Sequence, residues 1–559
     1  MLRVVSGAAM RMVEAGDKAL AGGRLEEAEG WFRQALMHDR NVAAGWCGLG
    51  DIAAAVGRRE EALRLYREGV SADAGDVDAE VKLAKCLMEM EEVDEALARF
   101  GALCVPGRNL GRWAAGVWVD LGNTLRWVGR TAEAVEAYRR GVAAAPELAG
   151  HHSALLYGMH FVPGMEGKEL LAEHLRWNEA HVGRLRGTRK AFGARRSGGK
   201  LRAGFVSPDF DSHVVGRFME PFLREHDRER VEVTCYSGTT RTDRMTEKLR
   251  GYAGRWREIA AASDEAAAEQ IRADEIDVLV DLTMHMERSR LLVFGRRPAP
   301  VQATYLAYCS TTGVETIDYR LSDGWLDPVG EDESIYSERT VRLPETYWCY
   351  TGWSEAPEAM EWGSGNSGEM VFGSMNHFAK VSEGALVAWG KILRRVEGSR
   401  LKILCPRGQA RSRVLGVMEE QGVKRERVEF VDRAGPEEYF RTMGSIHVHL
   451  DPFVYSGGTT TCDGLWMGTP TVTLRGKLAV ARGGASLMSN AGLGEWVARD
   501  EAEYVEIAVR QAGDVEGLRA LRRGMRERVR SSVVGDAKRF ARGMEQALLE
   551  MRERGPARR

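Results

Sequence analysis

The stretch "IHVHLDPFVYSGGTTTCDGLWMG", residues 446–468, contains an apolar run, two adjacent glycines, three threonines and a helix-like segment. We interpret 446–452 as a strand and the part from Thr460 onward as the start of a helix. Gly457 and Gly458 let the backbone approach a ligand closely. Threonine hydroxyls and the unpaired N–H groups of a helix amino end can bind an anion. The loop alone is equally consistent with an ordinary polar turn, so the rest of the chain has to decide.

Short apolar runs alternate with helix-like segments after residue 200. The runs are "LRAGFVS" (201–207), "VEVTCYS" (231–237), "IDVLVDL" (276–282), "VQATYLAY" (301–308), "MVFGSM" (370–375), "RLKILCP" (400–406), "VEFVD" (428–432) and "TVTLR" (471–475). This alternation predicts parallel sheets with right-handed crossovers. A polar stretch at about 352–368 separates two such sets, which predicts two Rossmann-like domains. A ligand is expected at the carboxyl ends of the strands, in the crevice between the domains. In this setting a phosphate-binding loop becomes the favoured interpretation of 446–468.

The first quarter of the chain is a repeat array. "EEAEGWFRQAL" (26–36) returns as "EEALRLYREGV" (60–70) and "DEALARFGALC" (94–104) at intervals of 34 residues, and as "AEAVEAYRRGV" (132–142) after 38. Small residues around one aromatic residue in each copy let antiparallel helices approach while the ring fills the gap between units. The pattern resembles the tetratricopeptide repeat and predicts about four units that bind peptides or proteins. Such units can also simply support the following domain.

Composition excludes several classes of function. Lys+Arg is 79 against Asp+Glu 81, so no net positive field favours nucleic acid. The basic run at 186–196 is interpreted as a solvated linker. Eight cysteines without a CxxC pair indicate a reducing compartment, and the chain shows neither a signal segment nor a spanning apolar run. We expect a cytoplasmic protein with no membrane or nucleic-acid partner.

The predicted fold class is α + α/β. Tetratricopeptide repeats occupy 1–148, a helical linker 149–199, an acceptor-side Rossmann-like domain 200–360 and a nucleotide-sugar-binding Rossmann-like domain 361–559. The final segment 537–555 is amphipathic and is expected to pack back on the first Rossmann-like domain.

Several motifs together resemble the protein O-GlcNAc transferase family, including its Spindly branch. They are "LRAGFVSPDFDSH", "RRPAPVQATYLAY", "IDYRLSD", "VRLPETYWCY", "FGSMNHFAK" and "YSGGTTTCDGLWMGTPTVTL", in order over roughly 200–515. The resemblance implies a GT-B fold and an inverting transfer from a sugar nucleotide to a Ser or Thr hydroxyl of a protein. It also implies no bound metal or other cofactor, since positive groups of the protein can replace a divalent cation.

The resemblance implies a set of nucleotide-sugar contacts. Lys380 matches the lysine that holds the donor diphosphate, where a cation stabilises the leaving group; otherwise it is a solvated residue at a helix start. His377 faces the same region, and Asp463 matches a sugar-hydroxyl contact or complements the helix dipole. The other matched positions are Leu306 on the sugar-facing loop, Ala434 and Tyr439 near the base, and Gly458, Thr459, Thr460 and Thr461 around the phosphates.

Two histidines are expected on the acceptor side. His213 matches the active-site histidine after the first strand, placed to accept or orient the acceptor's proton. Its alternative is a structural hydrogen bond in the loop. His285 either lines the acceptor side or caps the next helix. His447 and His449 could form a zinc pair, yet no third ligand of suitable spacing is evident, so we expect a packed strand.

Departures from the family pattern leave the donor open. Glucosaminyl-transferring members usually have histidine at Gly458 and Pro-Gly where this chain has Cys309-Ser310. "GTTTC" and "RLPETYWCYT" look more like the Spindly branch, some of which transfers fucose from GDP-fucose. UDP-GlcNAc is the first choice and GDP-fucose the alternative. A repeat scaffold with a degenerate catalytic half and a sugar-nucleotide epimerase are the remaining alternatives.

Overall fold

The computed structural model describes residues 6–105, 107–192, 198–353, 356–359, 362 and 369–557. The chain divides into two compact units. The first comprises Met1–Ala145 with Pro406–Ser412, and the second comprises Pro146–Cys405 with Arg413–Arg559. The predicted boundary at 360/361 and part of the basic run at 186–196 lie outside the described residues.

The first unit consists of consecutive helix pairs, as the repeats predict. The helices are α1 (Gly7–Ala21), α2 (Leu25–His38), α3 (Ala43–Ala55), α4 (Arg59–Ala72), α5 (Val77–Glu89), α6 (Val93–Leu103), α7 (Ala114–Trp127) and α8 (Thr131–Ala144). A glycine in the first helix of a pair makes room for an aromatic ring of the second. A Cβ atom on Gly122 would lie 2.6 Å from the ring of Tyr138. The Tyr138 hydroxyl then donates to Asn123 at 2.8 Å.

The second unit contains two parallel sheets, a seven-stranded one with the order β3-β2-β1-β4-β5-β6-β7 and a six-stranded one with the order β10-β9-β8-β11-β12-β13 over the described residues. The first contains β1 (Leu201–Ser207), β2 (Val231–Ser237), β3 (Arg255–Glu258), β4 (Val278–Asp281), β5 (Val301–Thr304), β6 (Tyr319–Ser322) and β7 (Arg339–Arg342). The second contains β8 (Val371–Ser374), β9 (Arg400–Leu404), β10 (Val428–Val431), β11 (Val448–Leu450), β12 (Thr471–Leu474) and β13 (Val497–Ala498). Both orders contain the doubly wound Rossmann pattern, in which the strand order reverses between β1 and β4 and between β8 and β11.

The remaining α-helices lie in the second unit, except that α16 begins in the segment that belongs to the first unit. They are α9 (Ala149–Met159), α10 (Gly167–Trp177), α11 (Val214–Glu225), α12 (Arg244–Tyr252), α13 (Asp264–Ala273), α14 (Leu291–Gly295), α15 (Glu383–Arg395), α16 (Gln409–Glu420), α17 (Pro436–Gly444), α18 (Thr459–Trp466), α19 (Gly483–Asn490), α20 (Glu501–Gly513), α21 (Val515–Ser531) and α22 (Ala537–Arg554). Leu156 of α9 and Trp177 of α10 belong to the same apolar core as Val206 and Leu279 of the first sheet.

The final helix α22 packs against α11, the helix that follows β1 of the first sheet. Its Glu545 is fully buried and accepts hydrogen bonds from the Asp227 amide at 2.8 Å and from Arg230 at 3.2 Å. The Tyr319 hydroxyl donates to the Gly555 carbonyl at 2.6 Å just beyond the helix. In the described part of the chain, no helix combines the length and apolar character that a membrane span requires.

Candidate active site

A cavity of about 200 Å³ lies at the carboxyl ends of the central strands of both sheets. Its walls come from the segments that follow β1, β4, β5, β7, β8, β11 and β12, and from Tyr157 of α9. The residues used below are His213, Leu306, Cys309, Trp348, Lys380, Tyr455, Ser456, Gly457, Gly458 and Thr459. Because the strand order reverses beside β1 in one sheet and beside β8 in the other, loops diverge at both places and leave room for a ligand. The predicted crevice is thus present in the second unit.

His213 caps the amino end of α11 and lies on the cavity wall. Its Nδ1 accepts from the Val215 amide at 3.4 Å and lies 3.7 Å from Oδ2 of Asp209. Asp209 is buried and also accepts from Arg288 at 2.8 Å. The imidazole therefore makes the structural bond that was the alternative interpretation, and at the same time its side chain reaches the cavity. The role of His213 toward the acceptor's proton stays a prediction.

Lys380 lies at the end of a short helical turn after β8, and its ammonium group reaches the cavity wall. Nζ donates to the Ser456 carbonyl at 2.9 Å and lies 4.1 Å from the centre of the Tyr455 ring. Burial lowers the pKa of Lys380 to about 8, although the nearby carboxylate of Asp451 acts in the opposite direction. Lys380 is thus a partly desolvated cation beside a cavity rather than a solvated helix-start residue.

The amino end of α18 supplies another part of the wall. Gly458 is the N-cap residue, and no side-chain cap bonds the first turn, which also lacks acidic residues. The first N–H groups of a helix have no partner within it. A Cβ atom at Gly458 would meet nothing closer than the Trp348 ring at 3.7 Å, so a methyl group fits at this position. The geometry is that of an anion-binding helix terminus.

Gly457 is needed for a different reason from the one the sequence indicated. A Cβ atom there would lie 2.7 Å from the hydroxyls of Thr460 and Thr461 and 2.9 Å from a carboxylate oxygen of Asp451. The residue therefore makes room for side chains of its own loop rather than for a ligand.

The threonines do not all face the cavity. Thr459 lies on its wall. The Thr460 hydroxyl donates to Oδ1 of Asn376 at 2.7 Å and so ties the first turn of α18 to the segment after β8. Thr461 is fully buried, and its hydroxyl has no hydrogen-bond partner among the described residues. The structure brings Lys380 and Thr459 together and places the other two behind them.

Asp463 is buried behind the cavity rather than on its wall. The hydroxyls of Tyr350 and Tyr439 donate to its two carboxylate oxygens at 2.6 and 3.0 Å. Burial raises the pKa of Asp463 to about 6, against the effect of both tyrosine hydroxyls. Contact between this carboxylate and a sugar hydroxyl stays a prediction, and the tyrosines are the groups that hold it.

The remaining predicted residues lie away from the cavity wall, apart from Leu306. Ala434 is exposed in the loop after β10. His377 caps the turn that carries Lys380 and accepts from the Ala379 amide at 3.2 Å. His285 is buried, contacts Ser153 at 3.0 Å and the Thr312 carbonyl at 2.7 Å, and burial lowers its pKa well below the usual value. Neither alternative predicted for His285 describes this interior position.

Leu306 lies on the wall in a strained conformation. Its φ is 76°, in the left-handed region that favours glycine, and its amide donates to the Tyr347 hydroxyl at 2.6 Å. The predicted strand at 301–308 therefore ends at Thr304. Val454, beside the glycine loop, also has a positive φ of 108°. Strained residues of this kind persist where the surroundings fix them, often at functional sites.

His447 and His449 are packed within the second sheet. The Val371 amide donates to Nδ1 of His447 at 3.0 Å, and the Met375 amide donates to Nε2 of His449 at 3.2 Å. Burial lowers the pKa of both histidines to about 3. Among the described residues, no group of three or more His, Cys, Asp or Glu side chains is arranged to hold a metal ion.

Sequence reasoning missed three residues that organise the cavity. Asp451 accepts from the Gly457 amide at 2.6 Å and from the Thr473 hydroxyl at 2.7 Å. Asn376 links the segment after β8 to the first turn of α18, and Trp348 lies beside Gly458 on the wall. A signal was present for Asp451, since it directly follows the apolar run of β11 and precedes the glycines.

The fold and the cavity define the class: a glycosyltransferase-type GT-B fold of two Rossmann-like domains, preceded in the chain by tetratricopeptide repeats. The family model "Glycosyl transferase family 41" matches residues 145–354 and 364–544, and a tetratricopeptide model matches 53–103. The chain belongs to glycosyl transferase family 41.

Two curated relatives and one solved structure are similar to this chain, each over a different share of its length. A protein of Hordeum vulgare named "Probable UDP-N-acetylglucosamine--peptide N-acetylglucosaminyltransferase SPINDLY" is 34% identical over 404 residues, which cover 71% of this chain and 41% of that one. The UDP-N-acetylglucosamine--peptide N-acetylglucosaminyltransferase of Caenorhabditis elegans is 24% identical over 73% of this chain and 46% of its own. The chain thus spans less than half the length of these curated relatives. A solved lysine-to-methionine mutant of Thermobaculum terrenum O-GlcNAc transferase has a TM-score of 0.78, 29% identity and 99% coverage of both chains.

Proposed function

We propose that the protein is an O-glycosyltransferase that transfers GlcNAc from UDP-GlcNAc to Ser and Thr hydroxyls of proteins, with inversion at the anomeric carbon. The observation that carries the proposal is the presence of the Lys380 ammonium group and the uncapped amino end of α18 on the wall of one cavity. Family membership supports the reaction class.

The proposed chemistry concentrates negative charge at the diphosphate. As the bond between the anomeric carbon and the phosphate oxygen breaks, the nucleoside diphosphate leaves with added negative charge. Lys380 and the N–H groups at the start of α18 stabilise that charge most in the transition state, which lowers the barrier. Because these groups are positive and fixed in place, the transfer is proposed to need no bound metal ion. Activity that is unaffected by EDTA supports that part of the proposal, and loss of activity restored by a divalent cation contradicts it.

The acceptor hydroxyl is proposed to attack the anomeric carbon from the face opposite the diphosphate. Its oxygen forms the new bond while its proton passes to a base. His213 is the candidate on the cavity wall. In the structure Nδ1 accepts from the Val215 amide. For His213 to act as the base, Nδ1 has to carry the ring proton and direct it to Asp209 instead, so that Nε2 can accept or orient the acceptor's proton.

The repeat unit is proposed to bind the acceptor protein. Consecutive helix pairs build an extended surface of the kind that solenoid proteins use for peptides. We keep cytoplasmic location and the absence of nucleic-acid and membrane partners as predictions.

The identity of the sugar-nucleotide donor is a separate and more specific part of the proposal. The names of the relatives favour UDP-GlcNAc over GDP-fucose as the donor. Gly458 and the Cys309-Ser310 pair, which depart from the glucosaminyl-transferring pattern, face or adjoin the cavity, so they are the positions where donor choice is proposed to be decided.

Mass spectrometry of acceptor proteins tests the proposal. The protein is incubated with UDP-GlcNAc or GDP-fucose and a mixture of protein acceptors, and the mass added to Ser or Thr is measured. Addition of a GlcNAc residue by the wild type, with loss of transfer in Lys380→Met, supports the proposal. A fucose residue instead corrects the donor. Equal transfer by wild type and Lys380→Met contradicts the role proposed for Lys380, and no transfer by either favours the repeat scaffold with a degenerate catalytic half.

A further inference from the structure

One peptide group joins Asp451 to Lys380. The N–H of Gly457 donates to Oδ1 of Asp451 at 2.6 Å, and the carbonyl of Ser456 accepts from Nζ of Lys380 at 2.9 Å. These N–H and C=O groups belong to the same planar peptide unit. The peptide is therefore held on one side by a carboxylate and on the other by an ammonium group.

Asp451 is itself held firmly. It is 1% exposed, and its second oxygen accepts from the Thr473 hydroxyl at 2.7 Å. Its backbone carbonyl accepts from the Tyr504 hydroxyl at 3.0 Å. A Cβ atom on Gly484 would collide with the carboxylate, so α19 also leaves space for it.

The loop has further anchors that leave the peptide little freedom. The amide and the hydroxyl of Ser456 both donate to the Val480 carbonyl, at 3.0 and 3.1 Å. The Ser456 carbonyl is thus fixed in the direction of Lys380. A lysine with four rotatable bonds loses much rotamer freedom when it is held, so a fixed acceptor matters for its position.

We infer that Asp451 is a positioning residue for Lys380: its carboxylate fixes the Ser456–Gly457 peptide, and that peptide fixes the ammonium group on the cavity wall. The inference deepens the proposed function and rests on it for the role of Lys380 toward the donor. It assigns the Gly457 amide to the protein's own carboxylate rather than to a bound phosphate.

Charge supports the same arrangement. Besides Asp451, the groups that face Lys380 are the thiol of Cys309 and the ring of Tyr455, and the imidazole of His213 lies on the same cavity wall. Burial raises the pKa of Asp451 to about 6, so the carboxylate is mainly ionised at neutral pH and favours the protonated lysine.

The test is the pKa of Lys380 measured without any donor. The rate at which acetic anhydride labels Lys380 is followed against pH by peptide mass spectrometry, since only the neutral amine reacts. We compare the wild type, Asp451→Asn, and Thr473→Val as the matched control that removes a hydrogen bond to Asp451 but keeps its charge. UDP affinity is measured in parallel by calorimetry.

In Asp451→Asn the loss of an opposite charge is expected to lower the pKa of Lys380 by roughly one unit. At pH values well below both pKa values this is about a tenfold increase in the neutral-amine fraction and so in the labelling rate. Thr473→Val is expected to leave the lysine pKa close to that of the wild type. UDP affinity should fall more in Asp451→Asn than in Thr473→Val, and the difference should grow from pH 7 to pH 8.

An unchanged lysine pKa in folded Asp451→Asn would overturn the inference, whatever happens to thermal stability. If that variant does not fold, Asp451→Ser, which is smaller and equally uncharged, takes its place with the same expectation. Failure of the wild type to bind UDP would instead count against the proposed function, so the two failures are distinguishable.

Discussion

The charge state of Lys380 is the property of a single residue on which donor binding depends most. Its ammonium group is desolvated beside the cavity, and the pKa is lowered to about 8. A lysine with a lowered pKa is cationic below that value and loses its charge as the pH rises through it.

The first prediction concerns the pH dependence of UDP binding. Affinity should be constant near pH 7 and fall progressively above about pH 8, because the neutral amine no longer attracts the diphosphate. Bound diphosphate favours the protonated form of Lys380. In the complex the lysine therefore loses its proton at a higher pH than in the free protein. Calorimetric titration from pH 6.5 to 9.5 checks this, with Lys380→Met as a control that should bind weakly at every pH. An alkaline decline that persists in Lys380→Met would assign the effect to another group.

Single residues were the least predictable part of the site. The sequence indicated Lys380, His213, Gly458 and Thr459, and all four lie on the cavity wall. Asp463 carries the same motif signal but is enclosed by two tyrosine hydroxyls. Adjacent residues at a helix start point in different directions, and spacing alone does not tell which of them faces a ligand.

At the scale of elements, the loop between β11 and α18 depends on the missing side chain of Gly457. A Cβ atom there would approach two threonine hydroxyls and Asp451 within 3 Å, whereas one on Gly458 meets nothing closer than 3.7 Å.

The second prediction compares these two glycines. Gly457→Ala should lower the melting temperature and weaken UDP binding at least tenfold, because the loop must move to accept the methyl group. Gly458→Ala should keep the wild-type melting temperature. Differential scanning fluorimetry with and without UDP measures both, and equal melting temperatures for the two variants would contradict the packing described for this loop.

The third prediction concerns the final helix. Glu545 is fully buried and accepts from the Asp227 amide, Arg230 and Arg542, so Glu545→Ala leaves a partly buried amide and two half-exposed guanidinium groups without their acceptor. The free energy of unfolding of the second unit should fall by about 2 kcal/mol. Glu550→Ala in the same helix, which breaks a half-exposed pair with Arg554, should cost less than about 1 kcal/mol. Urea denaturation measures both, and equal losses would show that Glu545 contributes no more than a surface charge.

Strands that form continuous apolar runs were predicted, including the edge strand β10, whereas β6 inside the first sheet and β13 at the edge of the second were missed. β1 and β2 were predicted residue for residue, because parallel strands covered on both faces read as continuous apolar runs. β3 and β7 were missed, since "RWRE" and "RTVR" contain more charged than apolar residues and lie at the two edges of the sheet. Strand order and register follow from long-range pairing that no local pattern contains.

At the scale of the whole molecule, the chain combines a repeat unit with a unit that holds the cavity. The fold class was predictable because the 34-residue period and the alternation of strands and helices are both regular. The two units give separable predictions for acceptor and donor.

The fourth prediction separates transfer to protein acceptors, which depends on the repeat unit, from donor binding by the second unit. Gly122→Ala places a methyl group 2.6 Å from the Tyr138 ring and should destabilise the repeat unit, whereas Gly116→Ala in the same helix meets nothing within 4 Å. Transfer to protein acceptors should fall several-fold in Gly122→Ala while UDP affinity stays within twofold of the wild type. Gly116→Ala should match the wild type in both assays. Loss of UDP affinity in Gly122→Ala would contradict the division of roles between the units.

A crystal structure of the protein with bound UDP tests the central claim most directly. We expect the diphosphate in the cavity, with phosphate oxygens within hydrogen-bond distance of Lys380 Nζ and of the first N–H groups of α18. UDP bound elsewhere, or in the cavity with its phosphates away from both groups, would contradict the proposed site and the mechanism built on it.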